Sequence, residues 1–104
     1  SEAILGNVEQ LSTHEGRLHV LQCMHALPIS NARQHSVERF LRHCLGSPHK
    51  FVSTWAYSGL HALADQYPEY RAEVSELFEH GLRDGSASTR ARIRKLSALG
   101  FSEP

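Results

Sequence analysis

The chain has 104 residues, and its 11 Lys plus Arg are balanced by 11 Asp plus Glu. That length supports one modest core, and zero net charge excludes a polyanion binder or an acidic tail as the character of the whole chain. Cys23 and Cys44 lie inside apolar helical patterns, which suits two buried thiols in a reducing cytoplasm better than a secreted disulfide framework. No apolar run approaches the roughly 18 residues of a membrane span. The stretch Ser1 to Gly6 has no basic segment leading into an apolar one, so no signal peptide is expected.

In chain order, Ile4, Leu5, Val8 and Leu11 form a short helical stripe, weakened by Gly6. Ser12 or Thr13 then caps a second helix carrying Leu18, Leu21, Met24 or His25, and Leu27, which Pro28 stops. Ser30 or Asn31 caps a third, with Val37, Phe40, Leu41, Cys44 and Leu45, closed by Gly46 before Ser47-Pro48. The fourth and longest, about 49 to 66, places Val52, Ala56, Leu60, Leu63 and Tyr67 on one face, with Phe51, Trp55 and Ala62 beside it. Pro68 opens a fifth helix bearing Tyr70, Val74, Leu77, Phe78 and Leu82, ending at Asp84-Gly85. Ser86 or Ser88 caps a sixth, with Ala87, Ala91, Ile93, Leu96 and Leu99 expected inward and Gly100 closing it. No stretch alternates with period two, so the expected class is all-α.

The helices are arranged by a repeat. Met24-His25-Ala26-Leu27 returns as Leu60-His61-Ala62-Leu63 thirty-six residues later, and as Leu96-Ser97-Ala98-Leu99 thirty-six after that. The intervening helices align at thirty-seven, Val37, Phe40, Leu41, His43 and Leu45 matching Val74, Leu77, Phe78, His80 and Leu82, with the extra residue in a connecting loop. A fixed period of this size marks a helical repeat array.

These residues resemble HEAT-like repeats of the armadillo-type α-α superhelix, over essentially the whole chain. A tetratricopeptide array fits less well: Trp55-x-x-Ser58-Gly59 half-matches its opening, but Ser58 stands where Leu is wanted and Ala62 where Tyr is wanted. The resemblance implies about six antiparallel helices in one domain, 1-104: a half repeat at 1-12, repeats at 13-47 and 48-85, and a half repeat at 86-104. Half-repeat ends suggest homo-oligomer formation through them, or origin in a longer solenoid.

Two HEAT-like enzyme classes are weighed against the residues. Deoxyhypusine hydroxylase binds iron through several His-Glu dipeptides, and here only His14-Glu15 is present. No two of the eight histidines have the i, i+3 or i, i+4 spacing of a helical metal pair. His25 and His61, His43 and His80, and nearly His14 and His49 are instead repeat-equivalent, which reads as structure. HEAT-like DNA glycosylases pair an aromatic with an acid on one helix, but one turn beyond Trp55 stands Gly59. No phosphate loop or nucleophile elbow is present. The chain is therefore read as non-enzymatic, with no cofactor and no metal.

Charge is unevenly spread. Asp65, Glu69, Glu73, Glu76, Glu79 and Asp84 crowd the fifth helix region, and Arg90, Arg92, Arg94 and Lys95 the sixth. The plain expectation is that these neighbouring helices partly neutralise each other. The expected function is a cytoplasmic scaffold binding a protein or peptide, with Arg39, Arg42, Glu73 and Glu76 as contacts. The alternative is a small nucleic-acid-binding module using Arg90, Arg94 and Lys95 with Arg39 and Arg42, or, more remotely, a DNA-repair enzyme. No membrane partner is expected.

Overall fold

In the computed structural model, residues 13–102 are described; the helix expected over 1-12 and the last two residues of the final half repeat lie outside them. The described residues are helical, without strands. Five α-helices run in order: α1 His14–Cys23, α2 Gln34–Leu45, α3 Lys50–Gln66, α4 Arg71–Asp84 and α5 Ala87–Leu99. Single 3-10 turns sit at Met24–Ala26, Asn31–Arg33 and Pro68–Tyr70.

Helix ends follow their local chemistry. The Thr13 hydroxyl accepts the Gly16 N–H at 3.1 Å, and Ser86 Oγ accepts the Thr89 N–H at 3.2 Å, each meeting an amide with no partner inside its helix. Ser30 occupies the cap position before the Asn31 turn but makes no cap hydrogen bond. Pro28 and Pro68 fall where a backbone donor is not needed. Gly100 ends α5 with φ of +65°, a backbone state that L side chains avoid.

The longest helix, α3, is the centre of the molecule and packs against all four others. Residues Ala56 to Ala64 are buried without interruption, a run that mixes Leu60 and Leu63 with small Ser58, Gly59, Ala62 and Ala64. A helix covered all round has no polar face to keep. Gly59 marks the tightest approach: a Cβ there would overlap Leu41 Cδ2 of α2 and stand 3.1 Å from Leu21 Cδ2 of α1. Gly81 does the same for α4, where a Cβ would meet Ile93 Cδ1 at 2.5 Å and the Tyr57 hydroxyl at 2.9 Å.

The core stripes of α2 (Val37, Phe40, Leu41, Cys44) and α4 (Val74, Phe78, Gly81) have the expected helical spacing. The face of α5 differs from the sequence expectation. Thr89, Ile93 and Leu96 are buried, while Ala87 and Ala91 are exposed and Leu99 is 69% exposed. At about 100° per residue, Leu99 falls well round the helix from Ile93, so both cannot face α3. Phe51 is likewise 61% exposed at the start of α3.

Two of the sequence-equivalent histidine pairs are in contact. His14 and His49 stack with ring centroids 4.0 Å apart, and His25 Nε2 lies 2.9 Å from His61 Nδ1. The first pair joins the N-terminal ends of α1 and α3, the second their C-terminal ends, so the two helices run the same way. Thr54 and Thr89 hydroxyls meet at 3.1 Å, and His61 Nε2 donates to the Gly100 carbonyl at 2.7 Å, so α3 and α5 are parallel too. His43 and His80, equivalent on α2 and α4, are both exposed, and His80 pairs instead with Asp84 at 3.2 Å. No helix of the described residues is long and apolar enough to cross a membrane.

Candidate functional site

The sequence-derived contact residues divide into two surfaces. On α2 and α4, Arg42 donates Nε–H to Glu38 at 3.2 Å and also pairs with Glu73. The hydrogen bond to Glu38, with the charge of Glu73 adding to it, holds the Arg42 guanidinium even more firmly protonated. Arg42 and Glu73 therefore come together, but to satisfy each other. Arg39 and Glu76 are exposed on the same two helices.

The expected neutralisation of α4 by α5 does not occur. Among the described residues no salt bridge joins these helices, and Arg92, Arg94 and Lys95 form none at all. The reason is rotational. α5 turns Thr89, Ile93 and Leu96 inward, which carries Arg94 and Lys95 to its outer side, while α4 turns Glu73 toward α2. Arg90 is half-buried and spends its guanidinium on the Gly85 carbonyl just before its own helix, a local capping role. Of the three basic residues proposed on this helix, Arg94 and Lys95 stay at the surface.

Lys95 belongs to a recess of about 250 Å³ between α3 and α5 that the sequence reading did not assemble. Phe51 and Trp55 of α3 form one wall, Arg92 and Lys95 of α5 the other. The Arg92 guanidinium carbon lies 3.9 Å from the centroid of the Trp55 ring, a stacked cation–π contact. Arg92 Nε is buried and has no hydrogen-bond acceptor. Among the described residues no carboxylate lines the recess. The cue was present in the sequence: Trp55 and Arg92 are thirty-seven residues apart, nearly the repeat length, which makes them lateral neighbours on parallel helices.

A second polar cluster lies at the other end of α3. His61 is buried, and because the Gly100 carbonyl can only accept, its Nε2 carries the proton and its Nδ1 accepts from His25 Nε2–H. Phe101 stacks on His61 at 4.8 Å, and the Arg71 guanidinium covers the outer face of Phe101 at 4.6 Å. The Ser102 N–H donates to Asp65 Oδ1 at 2.6 Å, holding that carboxyl below its ordinary range. This cluster uses its polar groups internally, and among the described residues no group of three or more His, Cys, Asp or Glu is placed to hold a metal ion.

Compared with protein-family models, with curated proteins and with solved structures, the chain matches none.

Proposed function

We propose that the chain is a HEAT-like helical-repeat scaffold that binds a protein or peptide segment in the groove between α3 and α5. The observation that carries this reading is the recess itself. An aromatic side chain 61% exposed, Phe51, stands beside Trp55 and two cations that form no salt bridge among the described residues. Exposed aromatic surface next to arginine is the composition of interaction hot spots. The parallel run of α1, α3 and α5, with α2 and α4 also packed on α3, supports the repeat architecture. So does the slab-like outline, 35 × 34 × 18 Å, which suits two helix layers. The α2–α4 surface, favoured from sequence, is the weaker candidate because Arg42 and Glu73 already satisfy one another.

The uncompensated cations of α5 also favour a second reading, binding of nucleic acid. Zero net charge opposes it, since such affinity is built from many phosphate contacts. Glycosylase chemistry has no support at Trp55, whose ring face is occupied by Arg92 and whose surroundings lack an acid.

The test is selection of displayed random peptides on the wild-type protein, with re-binding to Phe51→Ser and Lys95→Glu variants. Enriched peptides are expected to lose binding to both variants. Peptides that bind the variants as well as the wild type, or no enrichment, would overturn the reading. A salt-sensitive shift with a mixed oligonucleotide at about 50 mM salt would favour the second reading instead.

A further inference from the structure

The geometry points to a ligand class for this groove: we infer that it recognises side-chain carboxylates of an acidic peptide segment, with an adjoining apolar side chain seated on Phe51. The inference rests on the peptide-binding reading above and goes further by naming the chemistry of the occupant.

The argument begins with Arg92. A guanidinium presents five donors in a flat fork, and it is chosen over ammonium wherever planar, bidentate recognition of an oxyanion is needed. Here the fork is already immobilised, lying 3.9 Å over Trp55, so little rotamer freedom remains to be lost on binding. Its Nε is buried without an acceptor, so the donors open to a ligand are the N–H groups of the two terminal nitrogens. A carboxylate is the group that meets such a fork with two acceptor oxygens at once. Lys95 adds a second positive charge on the same wall, and among the described residues no acid lines the recess to compete for either. The electrostatic complement is therefore an anion.

The choice of an acidic peptide over nucleic acid follows from three features. The Trp55 face that a base would stack on is taken by Arg92. Few cations line the recess, and the whole chain has no excess of them. A volume of about 250 Å³ accommodates a side chain or two beside the exposed Phe51, and offers no extended channel for a strand.

Trp55 is the sole tryptophan of the chain, so its emission reports this groove directly. Twelve-residue peptides of leucine and glutamate, leucine and glutamine, and leucine and lysine, acetylated and amidated so that no terminal charge remains, are titrated into the full chain. Binding is followed by Trp55 emission and calorimetry. The glutamate peptide is expected to bind and to change the emission. The glutamine peptide should bind roughly tenfold or more weakly, the effect of losing a charge-assisted hydrogen bond, and the lysine peptide not measurably. Arg92→Gln should reproduce the tenfold loss while remaining folded, with the wild-type far-UV circular dichroism spectrum. Arg92→Lys, which keeps charge without the fork, should stay several-fold weaker than wild type.

Equal binding of glutamate and glutamine peptides would overturn the carboxylate assignment, as would wild-type affinity in Arg92→Gln or Arg92→Lys. Each would leave the peptide-binding reading standing provided that Phe51→Ser weakens the interaction. Binding that leaves Trp55 emission unchanged would place the site elsewhere and overturn it too. Tighter binding of a twenty-nucleotide single strand, lost in Arg92→Gln, would replace the peptide by nucleic acid. Absence of binding by all three peptides would overturn both proposals together.

Discussion

His25 and His61 stand thirty-six residues apart in the chain and 2.9 Å apart in space, each the histidine of the same repeated four-residue motif. The contact fixes tautomers. His61 donates through Nε2 to Gly100 and accepts at Nδ1, so a proton added there would remove the acceptor and oppose the His25 N–H. Long-range 15N correlation spectra should show His61 as the Nε2–H form at neutral pH.

The same pair makes stability depend on pH. Partial burial, and then the neighbouring His61, push the His25 pKa below its ordinary 6.5, with Asp65 opposing. The unfolded chain then binds a proton that the native state resists. The contribution is present above about pH 6.5 and is lost as pH falls through the folded value. The drop in Tm from pH 7.5 to 5.5 should be larger for wild type than for His25→Asn. The remaining seven histidines are common to both proteins, so an equal drop in the two would contradict the assignment.

Gly59 is required by packing. Alanine there gains roughly 1 kcal/mol of helix propensity but forces a methyl group into Leu41, an overpacking that costs about 1–3 kcal/mol. Gly59→Ala should be neutral to moderately destabilising, and Gly59→Leu severely so, in urea titrations read at constant slope.

The rotation of α5 separates two leucines that the sequence treats alike. Leu96 is 2% exposed and Leu99 69%. Leu96→Ala should cost about 2–5 kcal/mol, whereas Leu99→Ala should stay within about 0.5 kcal/mol. Equal effects would mean that Leu99 is packed as Leu96 is, and would contradict its exposure.

Burial pushes the Cys44 thiol up to about 11, while Cys23 is only half-buried. Thiolate is the reactive form. At pH 8 a thiol reagent should therefore label Cys23 first in the native protein, and Cys44 only as the protein unfolds, which quantitative mass spectrometry can follow.

Much of the fold was legible because its boundaries are written in breakers and caps. Pro28, Gly46 with Pro48, Pro68, and Gly85 with Ser86 each fall at a helix end in the structure. The period was legible because lateral neighbours at the same register must present similar shapes, as His25 and His61 do. The inward face of α5 was harder. Ala87, Ala91 and Leu99 offer a second apolar side that local periodicity cannot distinguish from Ile93 and Leu96, and only the neighbouring α3 selects between them. The candidate site was less legible still. It needs Phe51 to be left uncovered and Arg92 to lie on Trp55, and both depend on the rotation of two helices about their axes. The choice of Arg42 as the partner of Glu73, leaving the α5 cations uncompensated, is likewise a tertiary outcome that charge spacing along one helix does not encode.

Side-chain hydrogen bonds form rungs between segments distant in the chain, and these rungs bear on how the chain folds. The hydrogen bonds linking His25 to His61, Gln66 to Leu27 and Ile29, Tyr67 to Ile29, Thr54 to Thr89, His61 to Gly100, and Asp65 to Ser102 all close loops of 35 to 39 residues. The entropy of closing such loops differs across that range by only about 0.1 kcal/mol. No rung is privileged by its reach, so formation of one brings the next helix into position at nearly the same cost. Loop closure alone therefore gives no preference for docking the segment before α3 or the segment after it first.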